Sequence, residues 1–115
     1  MRFLLRTIPI MAIISTVALA LAVTSQAAAK SSAAQHFSST CSMCHGPDGK
    51  GYPAIHTPNF TSPKWQASVT NAQITQVITD GVKGTAMQGF GSRLKPAQIH
   101  ELVLYIRSLN SAKKK

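Results

Sequence analysis

The two cysteines of this 115-residue chain stand three positions apart, and a histidine follows the second: Cys41-Ser42-Met43-Cys44-His45. Two thiols at that spacing on a helical turn can each form a thioether to one of the two vinyl groups of a single porphyrin, and the next residue then lies beneath the iron. This C-x-x-C-H pattern attaches a c-type haem. His45 is the candidate proximal ligand, because an imidazole nitrogen suits iron and the covalent tether keeps the cofactor in place through cycles of oxidation.

Three other chemistries use closely spaced cysteines. A disulfide across Cys41 and Cys44 suits an exported protein, and a thioredoxin-like redox pair needs a βαβ context. Neither explains His45, and no Val/Ile-rich strand precedes the motif. A zinc site needs a second closely spaced Cys/His pair, which the sequence lacks.

Helices must position these residues. Ala33, Ala34, Phe37, Cys41 and Cys44 form an i, i+4 stripe, which predicts a helix over 32–44 carrying the motif at its C-terminal end. Gly46-Pro47-Asp48-Gly49 ends it. From Lys50 to Ser68, Pro53, Pro58 and Pro63 interrupt the chain and no periodicity is sustained, which predicts an ordered loop. Thr70 and Gln73 make a capping box for a short helix with Ile74, Val77 and Ile78 on one face, stopped at Gly81. A glycine-rich loop, Gly84 to Gly91, holds Met87 and Phe90. Pro96 opens a last helix in which Ile99, Leu102, Val103, Ile106 and Leu109 share a face. Lys95 takes its N-cap, where Ser or Thr would cap better.

A chain of this length holds one small domain. Arg2 and Arg6, the apolar run Ile10 to Val23 and the small residues Ser25 to Ala29 predict a cleaved export signal over 1–29, with cleavage after Ala27 or Ala29. The apolar run is shorter than the roughly 20 residues of a spanning helix. The domain is then 30–115. With Arg2 and Arg6 removed, the net charge of +9 falls to +7. Six aromatics make a thin core for such a unit, which calls for a staple such as a large cofactor. Nucleic-acid binding, the usual alternative meaning of a basic chain, is disfavoured by export and by the scatter of the charges.

Beyond the motif, the chain carries Phe37 four residues before Cys41, Gly46 after His45, Pro58-Asn59-Phe60 with Trp65, Met87 in its glycine-bounded loop, and Leu102 with Tyr105 in the last helix. In these it resembles the bacterial class I c-type cytochromes over nearly the whole mature length. The resemblance implies an all-α fold of three or more helices and long loops around one covalent haem c. It implies a close crossing of the first and last helices, with Ala33 near Tyr105, where the family more often has glycine. It also implies Met87 as the second iron ligand, although Gln88 follows where the family commonly has proline.

Met/His coordination closes both axial positions and favours a one-electron carrier over a catalyst. His56 is the serious rival to Met87; His36 and His100 sit on predicted helices, Met43 lies on the tethered side, and an open position is the remaining alternative. Phe60, Trp65 and Phe90 are expected to shield the haem, and a carbonyl of Pro53 or Pro58 to accept the free N–H of His45. The expected protein is a periplasmic, monomeric, non-enzymatic electron shuttle. It makes no membrane insertion after cleavage, and its redox partners present acidic surfaces to Lys50, Lys64, Lys83 and Lys95. The alternatives are a haem c subunit of a stable dehydrogenase or oxidase complex, and a small haem peroxidase or sensor.

Overall fold

The computed structural model describes residues 25–30 and 32–111. The expected leader, residues 1–29, therefore lies mostly outside the described residues, as does the Lys113–Lys115 tail; residues 25–30 are helical. Among the described residues no helix is long and apolar enough to cross a membrane.

Among the described residues from 32 onward, four helical segments surround one core. The first, α1, runs over 32–45; its middle, Phe37–Cys41, is a π-helical stretch and its last turn is Ser42–His45. The i, i+4 stripe holds as far as Cys41, with Ala33 and Phe37 buried, but Cys44 is exposed. The wider π turn is the reason: it spends an extra residue on one revolution and rotates the last turn away from the core. Local hydroxyls accompany it, with Ser42 Oγ donating to the Ser38 carbonyl and Ser39 Oγ to that of His36. Gly46, at φ 77°, then ends the helix.

The 50–68 segment is more regular than its prolines suggest. Pro53–Ile55 forms a 3₁₀ turn, and Pro63–Ser68 forms a helix, α2. Pro63 occupies the first helical position, where its missing N–H costs nothing, and Ser62 Oγ accepts from the Trp65 N–H at 3.4 Å. What looked like a breaker is a start signal.

Helix α3, Asn71–Asp80, opens on the expected reciprocal capping box: the Gln73 N–H donates to Thr70 Oγ1 and the Thr70 N–H to Gln73 Oε1. Ile74 and Ile78 are buried, while Val77 of the predicted apolar face is exposed. Helix α4, Pro96–Ser108, buries Ile99, Leu102, Val103 and Ile106, and Leu109 is buried just beyond it. The Lys95 N–H donates to Gln98 Oε1, giving half of a capping box; the lysine side chain has no acceptor to supply the other half. Helices α3 and α4 pack on one another, and Phe37 of α1 meets Tyr105 of α4 with ring centroids 5.2 Å apart.

Candidate functional site

Residues Cys41, Cys44 and His45 occupy the last two turns of α1. Both cysteines are free thiols, and no disulfide joins them. Cys41 packs against the core. Burial pushes its thiol above the ordinary value and pushes the His45 imidazole below its own, so at neutral pH the imidazole is uncharged and keeps a nitrogen lone pair for a metal.

The His45 ring lies on the face of Phe60, with centroids 4.8 Å apart and planes 20° from parallel. Phe60 is buried, Trp65 packs on it at 4.8 Å, and Phe37 meets it edge-on at 6.3 Å. The Phe60 backbone is tied at both polar atoms. Its N–H donates to the Gly49 carbonyl at 2.8 Å, and its carbonyl accepts from Gln66 Nε2 at 2.7 Å. Gly49 sits at φ 75°, a backbone conformation that favours glycine, and a Cβ there would also press on the tip of Leu109.

Nδ1 of His45 is buried without a hydrogen-bond partner. The expected bond from the His45 N–H to a Pro53 or Pro58 carbonyl is not made. The Pro58 carbonyl instead faces Gly51, 2.6 Å from where a Cβ of that residue would stand, in a turn that also pairs the Tyr52 N–H with Thr57 Oγ1.

Met87 is partly buried in the loop between α3 and α4. Its carbonyl accepts from the Val82 N–H at 2.9 Å and its N–H donates to Thr85 Oγ1 at 3.1 Å, beside an isolated Gly81–Gln88 bridge. A Cβ on Gly81 would strike the Met87 carbonyl at 2.6 Å, so the loop folds this way only with glycine there. Phe90 is anchored beyond it, its N–H donating to the Ile78 carbonyl and its ring lying under Arg93 at 4.3 Å. No hydrogen bond or ring contact joins Met87 to His45; separate elements carry the two, both resting on the common core. His56 is exposed at φ 56° at the end of the 3₁₀ turn, and Met43 is 83% exposed.

Several apolar side chains are exposed, among them Ile55, Val77 and Val82, and Met43 between the two cysteines. A cleft of about 320 Å³ lies between residues 25–30 and Glu101, Leu104, Tyr105 and Ser108 of α4. Two of its lining residues, Gln26 and Ala29, belong to the segment expected to be cleaved.

Sequence reasoning missed Gln66 and Arg107. Gln66 is buried in α2, where Nε2 donates to the carbonyls of Phe60 and Ile106 and Oε1 accepts from Arg107 Nη1 at 2.9 Å. Arg107 also donates to the carbonyls of Gln66 and Val69 and to Asn71 Oδ1. A glutamine in a proline-interrupted stretch, bonded mostly to distant main chain, leaves no periodic signal.

The half-buried imidazole of His45, two free thiols three residues apart and a half-buried thioether in a separate loop form a donor set that fits a covalently held haem. The fold points the same way. It matches the solved structure of the KustC0563 c-type cytochrome with a TM-score of 0.62 and 25% identity, over 67% of this chain and 95% of that one. The molecule is thus a helical c-type cytochrome with covalently bound haem c.

A family model, cytochrome C oxidase, cbb3-type, subunit III, matches residues 28–106, and the chain belongs to that family. Its relatives include the cbb3-type cytochrome c oxidase subunit FixP of Azorhizobium caulinodans, 37% identical over 76 residues, which are 66% of this chain and 26% of FixP. Subunit CcoP of Rubrivivax gelatinosus is 40% identical over 70 residues, 61% of this chain and 23% of CcoP. The chain thus spans about a quarter of the length of these curated relatives.

Proposed function

We propose that the protein is the haem c unit of a respiratory oxidase-type complex, passing single electrons within an assembly rather than diffusing freely between partners. The observation that carries this reading is the family match over 28–106, together with relatives that are oxidase subunits. The freely diffusing shuttle expected from the sequence is the second reading, favoured by the surplus of basic over acidic side chains.

Bound haem c supplies a one-electron Fe(II)/Fe(III) couple. In this account Cys41 and Cys44 would hold it by thioethers, and His45, through an imidazole nitrogen, and Met87, through its thioether, would be the residues that ligate the iron. Phe60, with Trp65 and Phe90, limits water at the ring, which disfavours the added charge of ferric iron. The turn pinned at Gly81 fixes the main chain of Met87, which would keep its thioether in one place when haem is bound. The protein is then not itself an enzyme. The exported, periplasmic placement expected from residues 1–29 suits haem attachment outside the cytoplasm, and the exposed Lys64, Lys83 and Lys95 offer an acidic redox partner its contact.

Purification of the tagged chain from its native cells tests the assembly. Co-elution with oxygen-consuming oxidase activity from detergent-solubilised membranes is expected. Recovery of the whole pool in the soluble fraction, alone and redox-active, would establish the shuttle instead. Carbon monoxide binding to the reduced protein at neutral pH would point to an open sixth position and to sensing or catalysis.

A further inference from the structure

The segment from Gly81 to Gly91 joins α3 to α4 and carries Met87. Gly81, Gly84, Gly89 and Gly91 fall within it, and Gln88 after Met87 leaves its own φ free, so the segment has much conformational freedom to lose. A thioether offered to a metal from such a stretch keeps its place only if bonds hold the main chain that bears it.

One side-chain hydroxyl supplies two of those bonds. Thr85 Oγ1 accepts from the Met87 N–H at 3.1 Å and donates to the Val82 carbonyl at 2.8 Å. The Met87 carbonyl accepts from the Val82 N–H at 2.9 Å. Both polar main-chain atoms of Met87 are thereby tied to Val82, the carbonyl directly and the N–H through the hydroxyl, and the bonds close a ring. Val82 follows Gly81, where a Cβ would stand 2.6 Å from the same Met87 carbonyl. The ring needs a group that donates and accepts at once; a hydroxyl does both, and a methyl in its place does neither. Accepting one bond also strengthens the one that the hydroxyl donates.

We propose that Thr85 is a positioning residue for the Met87 thioether, a role that rests on the reading of Met87 as an iron ligand. Its hydroxyl closes the ring through Val82 and so fixes the main chain from which the sulfur is offered. Thr85 has no part in ligation itself. Displacing Met87 by a competing ligand then means breaking this ring as well as the bond to iron.

The test uses the ferric holoprotein and imidazole, which competes with a thioether for iron, followed by loss of the red charge-transfer band of sulfur-to-iron ligation. Thr85 is exposed, so Thr85→Val leaves the core intact while it removes both bonds. This variant is expected to bind imidazole about three- to tenfold more tightly, the weight of one net hydrogen bond. Thr85→Ser restores the hydroxyl and is expected to return the affinity to near the wild-type value. Thr70→Ala, which breaks the capping box at the far end of α3, is expected to lower the melting temperature and leave imidazole affinity unchanged. A band missing from Thr85→Val at the outset and present in Thr85→Ser is the stronger form of the expected result. Should Thr85→Val not retain haem, Thr85→Ala takes its place. Wild-type affinity in Thr85→Val overturns the inference while Met87 ligation stands, and so does a tightening that Thr85→Ser does not reverse or that Thr70→Ala shares. A wild-type protein without the band overturns the reading of Met87 as well.

Discussion

Two regions of the molecule treat polar groups in opposite ways. At the C-terminal end of α4, Arg107 spreads its donors over Asn71 Oδ1, Gln66 Oε1 and the carbonyls of Gln66 and Val69, all at 2.6 to 2.9 Å. At the C-terminal end of α1, His45 buries a nitrogen with no partner, and Met43 beside it stays 83% exposed. The first region is complete in the polypeptide alone. The second has the composition of a surface that a large apolar, metal-bearing group finishes. In a small domain, the chain's own hydrogen bonds brace one part of the core, and a large cofactor is the kind of staple that braces another.

Breaking the cofactor side should have the largest effect. His45→Ala is expected to abolish the histidine-ligated low-spin haem spectrum, and Cys41→Ala with Cys44→Ala to abolish covalent haem on a denaturing gel. Retention of covalent haem by the double variant would remove the motif from the account.

On the braced side, Gln66→Ala deletes the bonds to Phe60, Ile106 and Arg107 and leaves buried carbonyls unpaired. A loss of about 2–4 kcal/mol is expected in chemical denaturation. A loss below about 1 kcal/mol would mean that water replaces the amide and that the contrast between the regions is weaker than drawn.

Thr70→Ala tests a part of the braced side that was readable from sequence. The capping box of α3 is present in both directions, and its loss should cost about 1 kcal/mol.

Such local signals were legible because they are short-range. The Cys41–His45 motif, the box at Thr70, the stop at Gly81 and the buried face of α4 each follow from residues a few positions apart. Three features were not. The π turn at Phe37–Cys41 depends on hydroxyls bonding back to the main chain, so the helical stripe overran to Cys44. Helix α2 hid behind Pro63, although Ser62-Pro63 is a start signal once the two are read together. The Gln66–Arg107 clamp joins residues 41 positions apart, and no spacing rule reaches that far. Val77 was assigned to the buried face from helical periodicity, which marks apolar positions without saying what covers them.

The smallest effect belongs to the turn after the site. Asp48 accepts from the side chain and backbone N–H of Lys50, which hold its carboxyl below the usual value. A depressed folded-state value means that its contribution is present above the ordinary carboxylate range and is lost as pH falls through the folded value. The pair is exposed, so Asp48→Asn should only slightly flatten the acid limb of the stability profile while leaving neutral-pH stability almost unchanged. A marked loss at neutral pH would show that this turn braces the site.

The central claim is that His45 and Met87 hold one covalent haem between α1 and the Gly81-pinned loop. The visible spectrum of the oxidised and reduced protein, taken beside Met87→Ala, tests it most directly. The account predicts sharp c-type bands on reduction and, in the oxidised wild type, a weak red charge-transfer band of sulfur-to-iron ligation that the variant lacks. A c-type spectrum without that band, or one unchanged in the variant, would contradict it.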